Sequence, residues 1–247
     1  MYIKNLLKPK LRFPDFIGIG APKCATTFIS ELLMQHPNIF MPPYFKELHY
    51  FDKNFHRGSK WYKNFFKNVP PNIKCGEFTP SYMRLHNFSD LVIKINPNIK
   101  LIACLRDPVK RSFSHYLYKN RIKRNFDSFE KFIETNSYDF LNIGLYGEQL
   151  KKILNVIPKE NIHVIFFEEL IKNPNIVMQD LFKFLEVDQF YISGKKPEKI
   201  ASYKWTIKLQ KVINFLVRRY YSFRFLFLYI LPISRFLRYL NKTFPKK

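Results

Sequence analysis

Apolar positions along the chain fall in short blocks whose spacing switches between two periods. Phe16 to Gly20 (FIGIG) is an apolar, β-branched run bounded by Pro14 and a loop, and it predicts a short buried strand. Thr26 to Gln35 places Phe28, Leu32 and Leu33 on one side before Pro37, which predicts a helix. Lys74 to Thr79, Lys100 to Leu105 (KLIACL) and Asn161 to Phe167 (NIHVIFF) predict further strands. Asp107-Pro108 is a helix start, because Asp caps free N–H groups and Pro fits the first helical position. That helix is expected to run to about Arg121 with Val109, Phe113, Tyr116 and Leu117 as its apolar stripe. Tyr146 to Leu154 and Asn175 to Leu185 predict two more helices, the second with Val177, Leu181, Phe182 and Leu185 inward. Strands alternating with helices imply an α/β fold whose central sheet is mainly parallel and covered on both faces.

Past Tyr203 the pattern changes. Val212 to Leu240 mixes aromatic and aliphatic residues with arginines and is broken at Pro232. The arginines interrupt it too often for a membrane span, so it predicts basic amphipathic helices. The expected organisation is a core domain over 1–203 and a basic helical C-terminal extension over 204–247. A chain of 247 residues is long enough to bury a full core.

Charge narrows the class of partner. The net charge is +23, and residues 195–247 hold 14 Lys or Arg against the single acid Glu198. Such a chain attracts anions: nucleotide phosphates, acidic glycans, nucleic acid or a negative membrane surface. The three cysteines, Cys24, Cys75 and Cys104, fit no metal-ligand spacing and read as free thiols in a reducing compartment. The first residues, MYIKNLLKPKLRFP, lack the apolar run of a signal peptide, so the expected location is cytoplasmic.

Two segments carry chemistry. The strand FIGIG runs into the loop Ala21-Pro22-Lys23-Cys24-Ala25 and a helix opening at Thr26-Thr27. A loop entering a helix N-terminus offers free backbone N–H groups and the positive end of the helix dipole to an anion. Lys23 adds a full charge and the threonines add hydroxyl donors, making a phosphate cradle. It is not a Walker A loop, which has a second Gly and a Lys directly before the Ser or Thr. The second segment is Arg106-Asp107-Pro108-Val109-Lys110-Arg111-Ser112-Phe113-Ser114-His115-Tyr116, again a strand end entering a helix. Arg106 stands at the sheet's carboxyl edge, where ligands of open α/β sheets gather, and Ser114 follows about two turns into the helix.

With KELHYFD (46–52) and GEFTPSY (76–82) between them, GAPKCATT and LRDPVKRSFSHY resemble the sulfotransferases that use 3′-phosphoadenosine 5′-phosphosulfate (PAPS). The likeness is greatest to the carbohydrate branch, the heparan sulfate N- and 3-O-sulfotransferase domains and their bacterial relatives. It covers about Phe16 to Leu185. The resemblance implies a P-loop-like three-layer fold and PAPS as co-substrate, with no metal. The loop Ala21, Pro22, Lys23, Cys24, Ala25, Thr26 and Thr27 would hold the 5′-phosphosulfate, with Lys23 near the bridging oxygen. Arg106 and Ser114 would take the 3′-phosphate, and Glu47 would be the general base. His49 is the alternative base, since its ordinary pKa suits neutral pH. Glu77 is expected to support the acceptor site or to orient Lys23, and Trp61 and Tyr62 to be core or pocket-wall aromatics. The turn Gly194-Lys195-Lys196 is a candidate cover for the nucleotide.

Three departures from the family pattern stand out. Ala25 occupies a usual glycine position, so it either avoids positive φ or accepts strain. Phe78 replaces a lysine of the 3-O-sulfotransferase version, and the tail lacks that version's paired cysteines. The implied activity is sulfuryl transfer to a hydroxyl or amine of a carbohydrate or glycoconjugate. The alternatives are sulfation of a small hydroxylated molecule or lipid, a nucleotide-dependent kinase, and a non-enzymatic anion- or membrane-binding module. The basic tail would supply peripheral contact with an anionic membrane, and no nucleic-acid partner is expected.

Overall fold

The computed structural model describes residues 10–43, 45–123 and 128–192. Its centre is the predicted strand Phe16–Gly20 (β1), buried at every position because apolar side chains leave it on both faces of the sheet. The other strands are Ile39–Phe40 (β2), Lys74–Phe78 (β3), Lys100–Leu105 (β4) and Ile162–Phe166 (β5). They form one five-stranded sheet in the order β2-β3-β1-β4-β5, and every pairing is parallel. From β1 the chain builds the sheet first to one side, through β2 and β3, and then to the other, through β4 and β5. The crevice beyond the carboxyl end of β1 is therefore the switch point at which ligands of open parallel sheets bind.

Helices Thr26–Leu33 (α1), Gly58–Lys63 (α2), Phe88–Ile95 (α3), Pro108–Lys123 (α4), Phe129–Asn142 (α5), Tyr146–Leu154 (α6), Phe167–Lys172 (α7) and Pro174–Leu185 (α8) complete the described fold. The buried positions of α8 are Met178, Leu181, Phe182 and Leu185. Val177, expected inward, is partly buried against the same core. Among the described residues no helix is long and apolar enough to cross a membrane. The segment 204–247 and the turn Gly194-Lys195-Lys196 lie outside the described residues.

Of the stripe expected on α4, Tyr116 alone is buried. Val109 is 68% exposed, and Phe113 and Leu117 are also exposed, whereas Arg111, Ser112 and Tyr116 are buried. The helix turns a polar face inward because it borders the charged mouth of the sheet. Its aromatics meet a helix the hydropathy pattern had not revealed: Phe113 packs edge-on against Phe129 of α5 at 5.3 Å, and Tyr116 packs on Phe132. α5 contains the run Thr135-Asn136-Ser137-Tyr138-Asp139, all weak helix formers, so the intrinsic helix signal is weak.

The β1–β3 pairing is locked by two reciprocal aromatic-on-glycine contacts. Phe16 lies opposite Gly76 and Gly18 opposite Phe78. A Cβ on Gly18 would lie 1.9 Å from the Phe78 ring, and one on Gly76 would lie 2.3 Å from the Phe16 ring. Phe78 is thus committed to the core, 0% exposed, and does not take the place of a site lysine. Gly18→Ala should overpack this interface and cost about 1–3 kcal/mol in urea unfolding. Gly147→Ala, in an exposed turn of α6 with nothing near the new methyl, is the control and should be neutral or stabilising. Equal costs for the two substitutions would refute the packing argument.

Candidate functional site

At the end of β1 the chain turns sharply. Ala21 N–H donates to the Cys104 carbonyl at 2.8 Å, tying the loop to β4, and Cys24 N–H donates back to the Ala21 carbonyl. Lys23 and Ala25 both take positive φ, 69° and 59°. Ala25 therefore accepts the left-handed conformation rather than avoiding it, at a cost of roughly 1–2 kcal/mol for a residue with a Cβ. This curl brings the chain onto α1 with no side chain capping its N-terminus. The helix's leading N–H groups and dipole are left for an anion. Thr26 is buried and Pro22 and Thr27 half-buried at this entrance, while Cys24 is buried against Tyr146.

Positive charge crowds this loop. The Lys23 ammonium lies 3.1 Å above the centre of the Tyr118 ring on α4. Burial, followed by the charges of Lys46, Arg121 and Lys119, outweighs Glu47 and pushes the Lys23 pKa down to about 8. Lys46 donates to the Thr27 hydroxyl at 2.6 Å. His115 is driven down to about 3 by burial and then by Arg111, Lys23, Lys119 and Arg84, so it is neutral at physiological pH. Arg111 is 0% exposed and donates to the Ser112 hydroxyl at 2.8 Å. Arg106 donates to the Lys23 carbonyl at 3.5 Å and lies over the Phe167 ring at 4.2 Å. Its Nε is buried without a hydrogen-bond partner among the described residues. Ser114 is half-buried on α4.

An acidic group adjoins this cluster through the Lys46–Glu47 pair. Glu47 keeps 36% of its side chain exposed and reaches both Lys46 at 3.4 Å and His49 Nε2 at 3.2 Å. Burial raises its pKa, but the bond from His49 and the charge of Lys46 outweigh that effect and hold the carboxyl below its usual range. His49 Nδ1 lies 2.9 Å from Asp52, which also accepts from the Ser81 hydroxyl at 2.6 Å. Hydrogen bonds to Asp52 and then Glu47 push His49 up to about 9. Its imidazole is thus a cation clamped between two carboxylates at neutral pH. Glu77 is 0% exposed, with its oxygens turned to Tyr62 at 3.1 Å and Thr79 at 2.6 Å. Tyr62 is fully buried and stacked on Tyr50, whereas Trp61 is half-buried with Arg57 over its ring at 5.1 Å.

The structure therefore brings Lys23, Thr27, Arg106 and Glu47 into one neighbourhood. The residues not anticipated are Lys46, Lys119, Arg121, His115 and Asp52. Arg111, His115 and Lys119 recur every four residues, a helical spacing that marks one polar face of α4. Lys46 carried a signal as well, being adjacent to Glu47. Arg84 had none.

A family model for the sulfotransferase domain matches residues 13–212. The human heparan sulfate glucosamine 3-O-sulfotransferase 5 is 29% identical over 189 residues, 71% of this chain and 54% of that protein. The chain thus spans about half the length of that curated relative. Among solved structures, a sulfotransferase from Alicyclobacillus acidocaldarius is 25% identical with a TM-score of 0.67, covering 85% of this chain and 95% of that one. The mouse sulfotransferase SULT7A1 complexed with PAP shares the fold at 16% identity and a TM-score of 0.53, over 80% of this chain and 66% of that one.

The His49 clamp has a pH signature. A histidine whose pKa rises from 6.5 to about 9 on folding contributes stability that is complete below pH 6.5 and is lost as pH rises through 9. The stability difference between the wild type and His49→Gln should therefore shrink from pH 6.5 to 9, measured by urea unfolding. A difference that stays constant across that window would show that the ring is not held as a cation.

Proposed function

The chain belongs to the sulfotransferase domain family, and on that premise we propose that it transfers the sulfuryl group of PAPS to a hydroxyl or amine of a carbohydrate. The observation that carries this reading is a buried Lys23 ringed by further cations, its burial first and then the charges of Lys46, Arg121 and Lys119 bringing it to about 8. A site that holds so many cations together is built to receive several negative charges. The donor set fits a phosphorylated nucleotide: uncapped N–H groups after Ala25, the Lys46-bonded hydroxyl of Thr27, and the buried unpartnered Nε of Arg106.

In this reading Ala21, Pro22, Lys23, Cys24, Ala25, Thr26 and Thr27 surround the 5′-phosphosulfate, and Arg106 with Ser114 takes the 3′-phosphate. Glu47 accepts the acceptor's proton as the acceptor oxygen or nitrogen bonds to sulfur and the bond from sulfur to the bridging oxygen breaks. Lys23 stabilises the negative charge that gathers on the departing phosphate oxygen. The low pKa of Glu47 keeps it ionised and ready to accept, whereas His49 near neutral pH already holds its proton. This favours the carboxylate over the imidazole as base. The relative named for heparan sulfate glucosamine favours a carbohydrate acceptor over a small hydroxylated molecule.

Transfer of ³⁵S from labelled PAPS to polysaccharide acceptors tests this. Glu47→Gln keeps the shape and should lower kcat by roughly 100- to 10,000-fold with nucleotide affinity unchanged. Lys23→Ala should cost roughly 100-fold or more. Label transfer that survives Glu47→Gln but vanishes in His49→Ala would reassign the base.

A further inference from the structure

Glu77 has no place in the chemistry above, yet it is a fully buried carboxylate on β3, just beneath the segment that carries Glu47. Its surroundings are all donors. Oε1 accepts from the Tyr62 hydroxyl at 3.1 Å and Oε2 from the Thr79 hydroxyl at 2.6 Å. The Tyr82 hydroxyl and the Leu48 backbone N–H also face it and favour its charged form. Two of those hydroxyls relay the hold outward. Thr79 Oγ1 accepts from the His49 backbone N–H at 3.3 Å, and the Tyr82 hydroxyl accepts from the Phe51 N–H at 3.3 Å.

Two backbone amides of one short segment, His49 and Phe51, thus end on the Thr79 and Tyr82 hydroxyls, of which Thr79 is bonded to Glu77 and Tyr82 faces it. The segment needs an external hold, since His49 takes φ 51°, where a β-carbon-bearing residue is strained. A solvated loop would not require a carboxylate buried to 0% exposure for support. Burial of a charge is costly unless it is fully hydrogen-bonded, and burial raises the Glu77 pKa to about 7. An apolar side chain would fill the space without that cost but would leave the Thr79 and Tyr62 hydroxyls without their acceptor, and Thr79 free to turn away from the His49 amide.

Resting on the reading of Glu47 as base, we propose that Glu77, through Thr79 and Tyr82, is a positioning residue. It fixes the backbone of 48–51 and so sets where the Glu47 carboxylate meets the acceptor. It touches neither nucleotide nor acceptor. Its contribution lies in kcat, because misplacement of a base by about 1 Å costs on the order of 100-fold while binding groups elsewhere are unaffected.

The test uses Thr79→Val, which keeps the side-chain volume and removes the relaying hydroxyl, with Thr79→Ser as its rescue and Tyr82→Phe as the second branch. Glu77→Gln is the direct variant, and the relay variants answer the question should it not fold. Two readouts are taken: steady-state kinetics with PAPS and a polysaccharide acceptor, and amide hydrogen exchange. Thr79→Val should lower kcat by roughly 10- to 100-fold, with KM for both substrates within about twofold. Exchange at the His49 amide should accelerate, and Thr79→Ser should restore both. Tyr82→Phe should do the same at the Phe51 amide. Unchanged kcat, or kcat and both KM values worsening together, would overturn the proposal. So would unaltered exchange at these amides. Should the wild type transfer no sulfuryl group, the function reading fails by itself. The exchange data then still decide whether Glu77 holds the segment.

Discussion

A lysine brought to about 8 by burial and then by the cations around it is held in place only if the fold gains elsewhere what that placement costs. Here Lys23, Lys46, Lys119, Arg121 and Arg111 converge on the mouth of β1, and the architecture is arranged to keep them there. The central position of β1 puts that mouth at the switch point of the sheet. The left-handed conformations of Lys23 and Ala25 curl the loop so that the uncapped end of α1 joins the same field. α4 presents Arg111 and Ser112 inward and leaves Val109, Phe113 and Leu117 outward, the reverse of what a hydrophobic helix face would do. The left-handed loop and the gathered cations are each locally unfavourable, and under the proposed function a bound anion would relieve them.

The acidic group that adjoins it through Lys46 is organised on the opposite principle. Glu47, His49 and Asp52 form a compensated line in which each charge is fixed by its neighbour, and Ser81 anchors its far end. Beneath it Glu77 accepts from the Tyr62 and Thr79 hydroxyls. One side of the site is therefore tense and the other relaxed. That contrast suits a reaction in which negative charge moves toward the cations while a proton moves toward a carboxylate already in position.

Much of this was legible in the chain. The strand–loop–helix units after Gly20 and Leu105 could be read because apolar period, turn residues and a helix start coincide at both places. The family likeness then attached roles to Lys23, Arg106, Ser114 and Glu47. The inward face of α4 was misread because hydropathy assumes a helix buries its apolar side, and this helix borders a charged crevice. Phe113 and Tyr116 find their partners on α5, whose polar composition hid it. α3 left a weaker trace, although parallel β3 and β4 require a crossover between them. Lys46 and Glu77 were visible as residues but not as roles. Those depend on contacts across 19 residues to Thr27, and across the gap from β3 to the 48–51 segment.

The central claim is that the charge around Lys23 is a nucleotide site. Titration calorimetry of adenosine 3′,5′-bisphosphate at pH 8, in two buffers of different ionisation enthalpy, tests it most directly. An anion beside Lys23 raises its pKa, so binding must take up protons, and the apparent heat must differ between the buffers. The account predicts saturable binding with net proton uptake, lost in Lys23→Met, and weaker binding of ATP, which has no 3′-phosphate for Arg106. Absence of binding, or binding with no proton uptake and no preference over ATP, would contradict it.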